Sequence, residues 1–223
     1  IVGENGILVI PSVNNMSMDF GKRFWISDDT DLNRLFPGNP SGESGSRVAY
    51  AIMETTRGYR YGIHLPSFYL GGTFMPHIRL LDPEHGSTSL ANLFGLPYVI
   101  EAKSRPFDRT TLHNNWQRNG TEAFSLYTGM TGKIDDELAT QAVSSILRFL
   151  TRMGIIRYYS HSGYIASVLK EGDLEPIMTE AAGIFIRKVD CGQEVSRGDV
   201  LAQIMKADSG EIISEVKAST DGI

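Results

Sequence analysis

The sequence has little cysteine and no long apolar run, and each shortage excludes a class of protein. Cys191 is the single cysteine among 223 residues, which excludes an internal disulfide and any cysteine-based zinc finger. A chain without disulfides is typical of a reducing compartment, so we predict a cytoplasmic protein. No apolar run reaches the roughly 18 residues that a membrane-spanning helix needs, and no signal peptide is visible at the start as given. We therefore predict no membrane association.

The charge and composition exclude two further classes. A net charge of −5 argues against a broad phosphate-binding surface, so we predict no nucleic-acid partner. Hydrophobic residues make up 41% and charged residues 21%, which is typical of a globular protein and excludes disorder over the whole length. The length suffices for one large or two small domains.

The first two thirds of the chain alternate between strand and helix patterns. Short apolar runs predict strands over residues 7–11, 61–65, 98–102 and 123–127. Helical spacing of apolar residues predicts helices from about residue 44 to 58 and from about 136 to 153, the second capped by Asp135 and ended by Gly154. This alternation predicts an α/β domain with a largely parallel sheet.

The pattern changes near Tyr158, where the helical period ends. Short β-type runs flanked by turn signals, near residues 163, 182, 189, 197, 207 and 212, predict a small all-β domain, which contains a Met205–Lys206 pair. Lys206 precedes the predicted turn rather than standing at its tip, so we predict that it is unmodified. We predict two domains, residues 1–157 and residues 158–223, and we expect that both ends of the sequence are truncated.

One eight-residue stretch carries the most specific chemistry, Asp-Leu-Asn-Arg-Leu-Phe-Pro-Gly over residues 31–38. It presents an amide (Asn33) beside a guanidinium (Arg34), and the Phe-Pro-Gly that follows predicts a rigid turn. Arginine can hold a carboxylate through two hydrogen bonds, and asparagine adds a further donor. Taken alone, the stretch favours an ordinary surface loop that contains an Asp–Arg pair over a binding site.

This stretch resembles the Asp-Leu-Asn-Arg-x-Phe-Pro-Gly signature of the succinylglutamate desuccinylase/aspartoacylase family. Asn14, Arg23, His64 and the run Pro-His-Ile-Arg at 76–79 follow the family order, so the resemblance covers nearly the whole chain. It implies a zinc-dependent deacylase with a carboxypeptidase-like mixed sheet and flanking helices. A small all-β barrel similar to biotinyl and lipoyl carrier domains would follow.

The resemblance also implies a site. One Zn²⁺ per subunit would be held by a His and a Glu, expected upstream of Ile1, and by His64. Such a ligand set leaves a position open for catalysis, where the metal would polarise an amide carbonyl. Asn33 and Arg34 would hold the carboxylate of the substrate, and Arg23 would assist.

Two positions depart from the family pattern. Gly62 stands where many relatives have an aspartate two residues before the zinc-binding histidine. Tyr127 aligns with the catalytic glutamate, and a phenol with a pKa of about 10 is a poor base near neutral pH. Glu122 is the alternative base, although strand alternation predicts that it lies on the face opposite Tyr127. Glu101, on another predicted strand, is a further candidate.

We therefore predict a zinc-dependent hydrolase that removes an acyl group from an N-acyl amino acid or a related small amide or ester. Its partner would be a small carboxylate-bearing substrate, and the sequence leaves a homo-oligomer open. Two alternatives remain. One is a carboxypeptidase that acts on peptides, and the other is a non-catalytic carboxylate-binding protein that has lost the catalytic glutamate.

Overall fold

The computed structural model describes residues 1–66, 68, 71–84, 86–130 and 133–223. Its strands are β1 (Tyr61–His64), β2 (Thr73–Leu81), β3 (Tyr98–Ala102), β4 (Glu122–Met130), β5 (Ser167–Lys170), β6 (Ile184–Arg187), β7 (Val200–Met205) and β8 (Ile212–Lys217). Its α-helices are α1 (Asn15–Asp19), α2 (Ser44–Thr55), α3 (Ser87–Asn92), α4 (Leu112–Arg118) and α5 (Asp136–Arg152). Short 3₁₀ helices cover Leu32–Arg34, Pro106–Thr110 and Glu171–Asp173. None of the helices in these residues is both long and apolar enough to cross a membrane.

Five strands form one mixed sheet in the order β1-β4-β2-β3-β5. β1 runs parallel to β4, β2 runs antiparallel to β4, and β3 runs parallel to both β2 and β5. The predicted α/β class and mixed sheet are confirmed. The strands predicted near residues 61, 98 and 123 are all present. No strand was predicted over the residues that form β2.

Helix α5 covers one face of this sheet. Asp135 Oδ1 accepts hydrogen bonds from the backbone N–H groups of Glu137 and Leu138, each at 3.1 Å, as the predicted cap requires. The apolar side of the helix packs with even-numbered residues of β4 and β2 in a buried cluster: Ile78, Leu80, Ala91, Phe94, Leu96, Val99, Phe124, Leu126, Ala142 and Phe149. This face of the sheet is closed to solvent.

The predicted first strand, residues 7–11, is wrong. These residues form no strand and pair with none in the described part of the chain, and Val9 is 72% exposed. An apolar run predicts burial only where a partner strand or packed layer covers it, and none of the described elements does so here. Leu8 and Ile10 instead line a cavity that lies on the other face of the sheet.

The C-terminal residues form a separate three-stranded antiparallel sheet in the order β6-β7-β8. The turn-flanked runs near residues 163 and 189 are not strands. β5, which lies beyond the predicted division between residues 157 and 158, pairs with β3 in the first sheet. The division and the likeness to a carrier-domain barrel stay predictions.

Candidate functional site

A cavity of about 830 Å³ lies on the face of the mixed sheet opposite α5. Its floor comes from alternate residues of three neighbouring strands: Gly62 and His64 of β1, Arg79 and Leu81 of β2, and Ser125 and Tyr127 of β4. Its walls include the 31–36 stretch and residues 105–113. Side chains from distant parts of the sequence therefore meet at this one cavity.

The loop that carries Asn33 and Arg34 is fixed by its own hydrogen bonds. Asp31 caps the short 3₁₀ helix by accepting at Oδ1 from the backbone N–H of Asn33 at 2.9 Å. Asn33 Oδ1 accepts from the backbone N–H of Leu112, the first residue of α4, at 3.0 Å. The guanidinium of Arg34 lies 5.4 Å from the centre of the Phe107 ring. Asn33 therefore uses its carbonyl for positioning, and its Nδ2 group remains as the donor for a ligand.

Gly38 closes this loop against α2. Its φ of +83° lies in the left-handed region, and a Cβ atom there would stand 2.2 Å from the backbone nitrogen of Tyr50. Only glycine allows both this conformation and this close approach. The glycine of the eight-residue stretch thus holds the Asn33–Arg34 pair at the cavity wall.

His64 lies at the floor in a three-residue hydrogen-bonded chain. Its Nε2 is 2.7 Å from Ser125 Oγ, and the same oxygen is 2.7 Å from His113 Nδ1. Burial lowers the pKa of His64 to about 4. Burial, with smaller contributions from His64 and Arg79, lowers the pKa of His113 to about 3. Both imidazoles are therefore neutral at neutral pH.

Gly62 makes room for a tryptophan. A Cβ atom at this position would lie 2.4 Å from the ring of Trp116, which is buried and donates from Nε1 to Thr56 Oγ1 at 2.9 Å. The same ring has its centre 6.0 Å from that of His64. The missing aspartate is thus replaced by an aromatic ring that packs beside the histidine.

Tyr127 belongs to an aromatic stack at the floor. Its ring stacks on His77, with centroids 5.0 Å apart, and on Phe68, with centroids 4.6 Å apart, while the rings of Phe68 and His77 have centroids 6.5 Å apart. Burial raises the pKa of Tyr127 above its usual value, which makes the phenol a still poorer base. The Tyr127 assignment stays a prediction, and the raised pKa argues against it.

Glu122 lies away from the cavity. It is the first residue of β4 and alternates with the floor residues, on the same face as Phe124 and Leu126. Glu101 also lies away from the cavity, where it accepts from Thr88 Oγ1 at 2.5 Å. The role of either glutamate as the base stays a prediction without geometric support.

The cavity carries more positive than negative charge. Four arginines line it, Arg23, Arg34, Arg79 and Arg105, against two carboxylates, Asp31 and Asp108. Both carboxylates accept backbone hydrogen bonds, Asp31 from Asn33 and Asp108 from Arg105. Arg105 forms a salt bridge with Glu171, and Arg23 donates to the backbone oxygen of Phe68 at 2.5 Å. The arrangement favours an anionic ligand.

The sequence motifs did not identify two residues of the cavity, His113 and Ser125. His113 has no metal-ligand spacing, and serine within an apolar strand gives no signal of its own. The alternation of β4 could have identified Ser125, because it occupies the same face as Tyr127, two residues away. The register of the sheet, which the sequence does not reveal, places Arg79 directly opposite Ser125.

The described residues do not form a complete zinc site by themselves. No group of three or more His, Cys, Asp or Glu side chains in this part of the chain could hold a metal ion. His64 fits one ligand position, because a neutral imidazole whose Nε2 is engaged by Ser125 leaves Nδ1 for a metal. The remaining ligands would have to come from outside these residues, so we derive no chemical step through a metal.

No protein-family model matches the sequence, and no curated protein matches it either. Solved structures do match. A succinylglutamate desuccinylase from Silicibacter sp. TM1040 has a TM-score of 0.82 and 20% identity over 96% of this chain and 67% of that chain. Product-bound ectoine utilization protein EutE (DoeB) from Ruegeria pomeroyi has a TM-score of 0.81 and 21% identity, with the same coverage. A succinylglutamate desuccinylase/aspartoacylase from Rhodobacter sphaeroides has a TM-score of 0.78 and 20% identity over 96% of this chain and 67% of that chain.

These likenesses confirm the predicted resemblance to succinylglutamate desuccinylase/aspartoacylase proteins at the level of the fold. They extend over both the mixed sheet and most of the C-terminal residues, since 96% of the chain is covered. The cavity described above is thus built on a scaffold that this group of proteins shares.

Proposed function

We propose that this chain is a deacylase that hydrolyses an N-acyl amino acid or a related small amide or ester. The observation that carries the proposal is the meeting of the Asn33–Arg34 loop and His64 at one cavity with excess positive charge. The fold supports it, because the solved structures that match are named for removal of acyl groups.

The Asn33–Arg34 pair would bind the carboxylate of the substrate. The Arg34 guanidinium can donate two parallel hydrogen bonds, and Asn33 Nδ2 can donate a third. The hydrogen bonds that Asp31 and Leu112 make with Asn33 fix this geometry before the ligand arrives. A pre-organised site loses less conformational entropy on binding, which favours affinity for small ligands.

Zinc dependence is a further part of this proposal. His64 would supply one ligand, and the two others would come from the His and Glu expected upstream of Ile1. The hydrogen bond from His64 to Ser125 supports this role, because ligating histidines usually engage their second ring nitrogen in this way.

A non-catalytic carboxylate-binding protein is the second candidate. The observation that favours it is the lack of a free carboxylate base among the described residues of the cavity. Asp31 and Asp108 both accept backbone hydrogen bonds, and a tyrosine stands at the position of the family glutamate. Such a protein would bind the same ligands without turnover.

Assays on the full-length protein, including the His and Glu expected upstream of Ile1, with and without added zinc, would test the proposal. A panel of N-acetyl and N-succinyl amino acids would be incubated with the protein, and release of the free amino acid would be measured. We expect turnover of at least one compound, and Arg34→Gln should raise its KM about ten- to a hundred-fold because charged hydrogen bonds are lost. Arg57→Gln, which removes an exposed arginine paired with Glu54 on α2, is the matched control.

Two outcomes would decide between the candidates. Calorimetric binding of the panel without release of any amino acid would overturn the deacylase and favour the binding protein. An Arg34→Gln variant with unchanged KM and affinity would overturn the proposed carboxylate site itself.

A further inference from the structure

Two buried nitrogen atoms at the cavity have no hydrogen-bond partner within the described structure. They are Arg79 Nε and His113 Nε2. Both residues line the cavity, and His113 is 1% exposed. A buried polar atom without a partner costs free energy, so a pair of them at one cavity points to a ligand that completes them.

Arg79 lies on the cavity floor. It lies on β2 directly opposite Ser125 on β4, and these opposite residues of an antiparallel pair share one face. The salt bridges among the described residues do not include Arg79, although they do include its neighbour at the wall, Arg105. Arg79 therefore forms no salt bridge among the described residues. The hydrogen bond from Arg105 is the main cause of the lowered pKa of the exposed Glu171 carboxyl, and the charge of Arg79 contributes in the same direction.

The acidic groups around Arg79 have other hydrogen-bond or salt-bridge partners, and Glu171 is paired with Arg105. Burial raises the pKa of Tyr127, so its phenol stays neutral. Asp108 caps the 3₁₀ helix that starts after Arg105, and Asp31 caps the helix that carries Asn33. Arg79 Nε is thus left without a hydrogen-bond partner among the described residues, and a bound anion would supply one.

The hydrogen-bonded chain at the floor allows His113 to act with Arg79. Ser125 Oγ carries one hydrogen, so it donates to one imidazole and accepts from the other. If it donates to His113 Nδ1, the neutral His113 carries its proton on Nε2 and presents a donor. An anion beside Arg79 would select this arrangement, in which His64 donates from Nε2 to Ser125.

We propose that Arg79 Nε and His113 Nε2 form a second anion-binding subsite on the cavity floor, separate from the Asn33–Arg34 pair. It takes a carboxylate or similar small anionic group of the same ligand. The proposal rests on the proposed function only in assigning the first carboxylate of the ligand to Arg34. It makes Arg79 a specificity-determining residue that distinguishes ligands with a second negative charge from neutral analogues of the same shape.

Matched ligand pairs test this subsite in the whole chain. The pairs are N-acetyl-aspartate and N-acetyl-asparagine, N-acetyl-glutamate and N-acetyl-glutamine, and succinate and succinamate, with affinities measured by calorimetry. We expect the charged member of at least one pair to bind about ten- to a hundred-fold more tightly. Arg79→Gln should reduce that ratio to about two-fold or less.

Two variants control for general effects of charge. Arg34→Gln should weaken both members of a pair equally and leave their ratio intact, because it removes the shared anchor. Arg57→Gln removes an exposed arginine just after α2 that is paired with Glu54 and does not line the cavity, so the ratio should also stay intact. A ratio that persists in Arg79→Gln, or no preference for the charged member in any pair, would overturn the subsite.

Nitrogen chemical shifts give a readout for His113 that a structural role would not produce. With the charged ligand bound, long-range proton–nitrogen NMR should place the His113 proton on Nε2, and a proton on Nδ1 would remove His113 from the subsite. The two proposals fail separately. Loss of the ratio in Arg79→Gln without any hydrolysis would overturn the deacylase alone, whereas hydrolysis with an intact ratio would overturn the subsite alone.

Discussion

The two faces of the mixed sheet are built from alternate residues of the same strands, yet they differ in almost every physical property. On the face toward α5, Phe124 and Leu126 of β4 are at most 1% exposed and pack in an apolar cluster. On the cavity face, Ser125 and Tyr127 of the same strand hold polar and aromatic partners. The face toward α5 therefore stabilises the fold. The cavity face can keep polar groups without hydrogen-bond partners, because the apolar cluster on the other face supplies that stability.

Removing a ring from the apolar face should produce the largest effect. Phe124 is fully buried and packs against Phe94 and Phe149, with ring centroids 5.2 and 5.3 Å away. Phe124→Ala should lower the free energy of unfolding by about 3–5 kcal/mol, because a cavity replaces the ring. Urea unfolding would measure it, with Val143→Ala on the exposed side of α5 as the control. A loss below about 1 kcal/mol would contradict the division between the faces.

Adding a methyl group on the cavity face should lower the free energy of unfolding by less than the loss of the Phe124 ring does. Gly62→Ala places a methyl group against the ring of Trp116, and overpacking of this kind costs about 1–3 kcal/mol. The measurement is again urea unfolding. Gly172→Ala is the matched control, since nothing lies within 4 Å of the added Cβ and its φ is not in the left-handed region. Equal stability of the two variants would show that Trp116 yields without cost.

The same contrast explains how much of this molecule the sequence could reveal. Apolar periodicity located α5 and its cap at Asp135, because local pattern and packing agree there. The strand expected at residues 7–11 failed, because burial depends on a partner that an apolar run does not specify.

The candidate site likewise has residues that the sequence could identify and residues that only the fold brings together. The Asn33–Arg34 pair was visible because it is contiguous in sequence and ends in a distinctive turn. The meeting of Ser125 with Arg79 and His113 depends on strand register and on the placement of α4, which are tertiary properties. Tyr127 was identified by the family resemblance alone, and its stacking on Phe68 and His77 became visible only in the fold.

Lowering the pH should destabilise the cavity face. In an unfolded chain a histidine takes up a proton near pH 6.5, but in the folded chain His64 does so only near pH 4 and His113 near pH 3. Between these values the unfolded state binds more protons, so stability falls as the pH drops from about 7 toward 3. We expect a loss of about 1 kcal/mol per histidine between pH 7 and pH 5.5.

Urea unfolding across this pH range checks the expectation. His113→Asn should reduce the dependence of stability on pH by about half, because one of the two suppressed protonations is removed. His161→Asn changes an exposed histidine and serves as the control. A pH dependence that is the same in both variants would place its origin outside the cavity face.

The smallest expected effect has the opposite sign and separates the two faces most sharply. Arg79→Gln should raise the stability of the ligand-free protein by up to about 1 kcal/mol, a shift of about 2–4 °C in Tm, because it removes a partly buried charged group whose buried Nε has no hydrogen-bond partner among the described residues. Arg105→Gln should not raise it, since Glu171 already pairs with that arginine. Thermal unfolding with and without N-acetyl-glutamate would measure both. A bound anion would stabilise the unsubstituted protein through Arg79 but not the variant. The higher Tm of Arg79→Gln relative to the unsubstituted protein should therefore disappear at saturating ligand. A lower Tm for ligand-free Arg79→Gln would instead assign Arg79 to the scaffold.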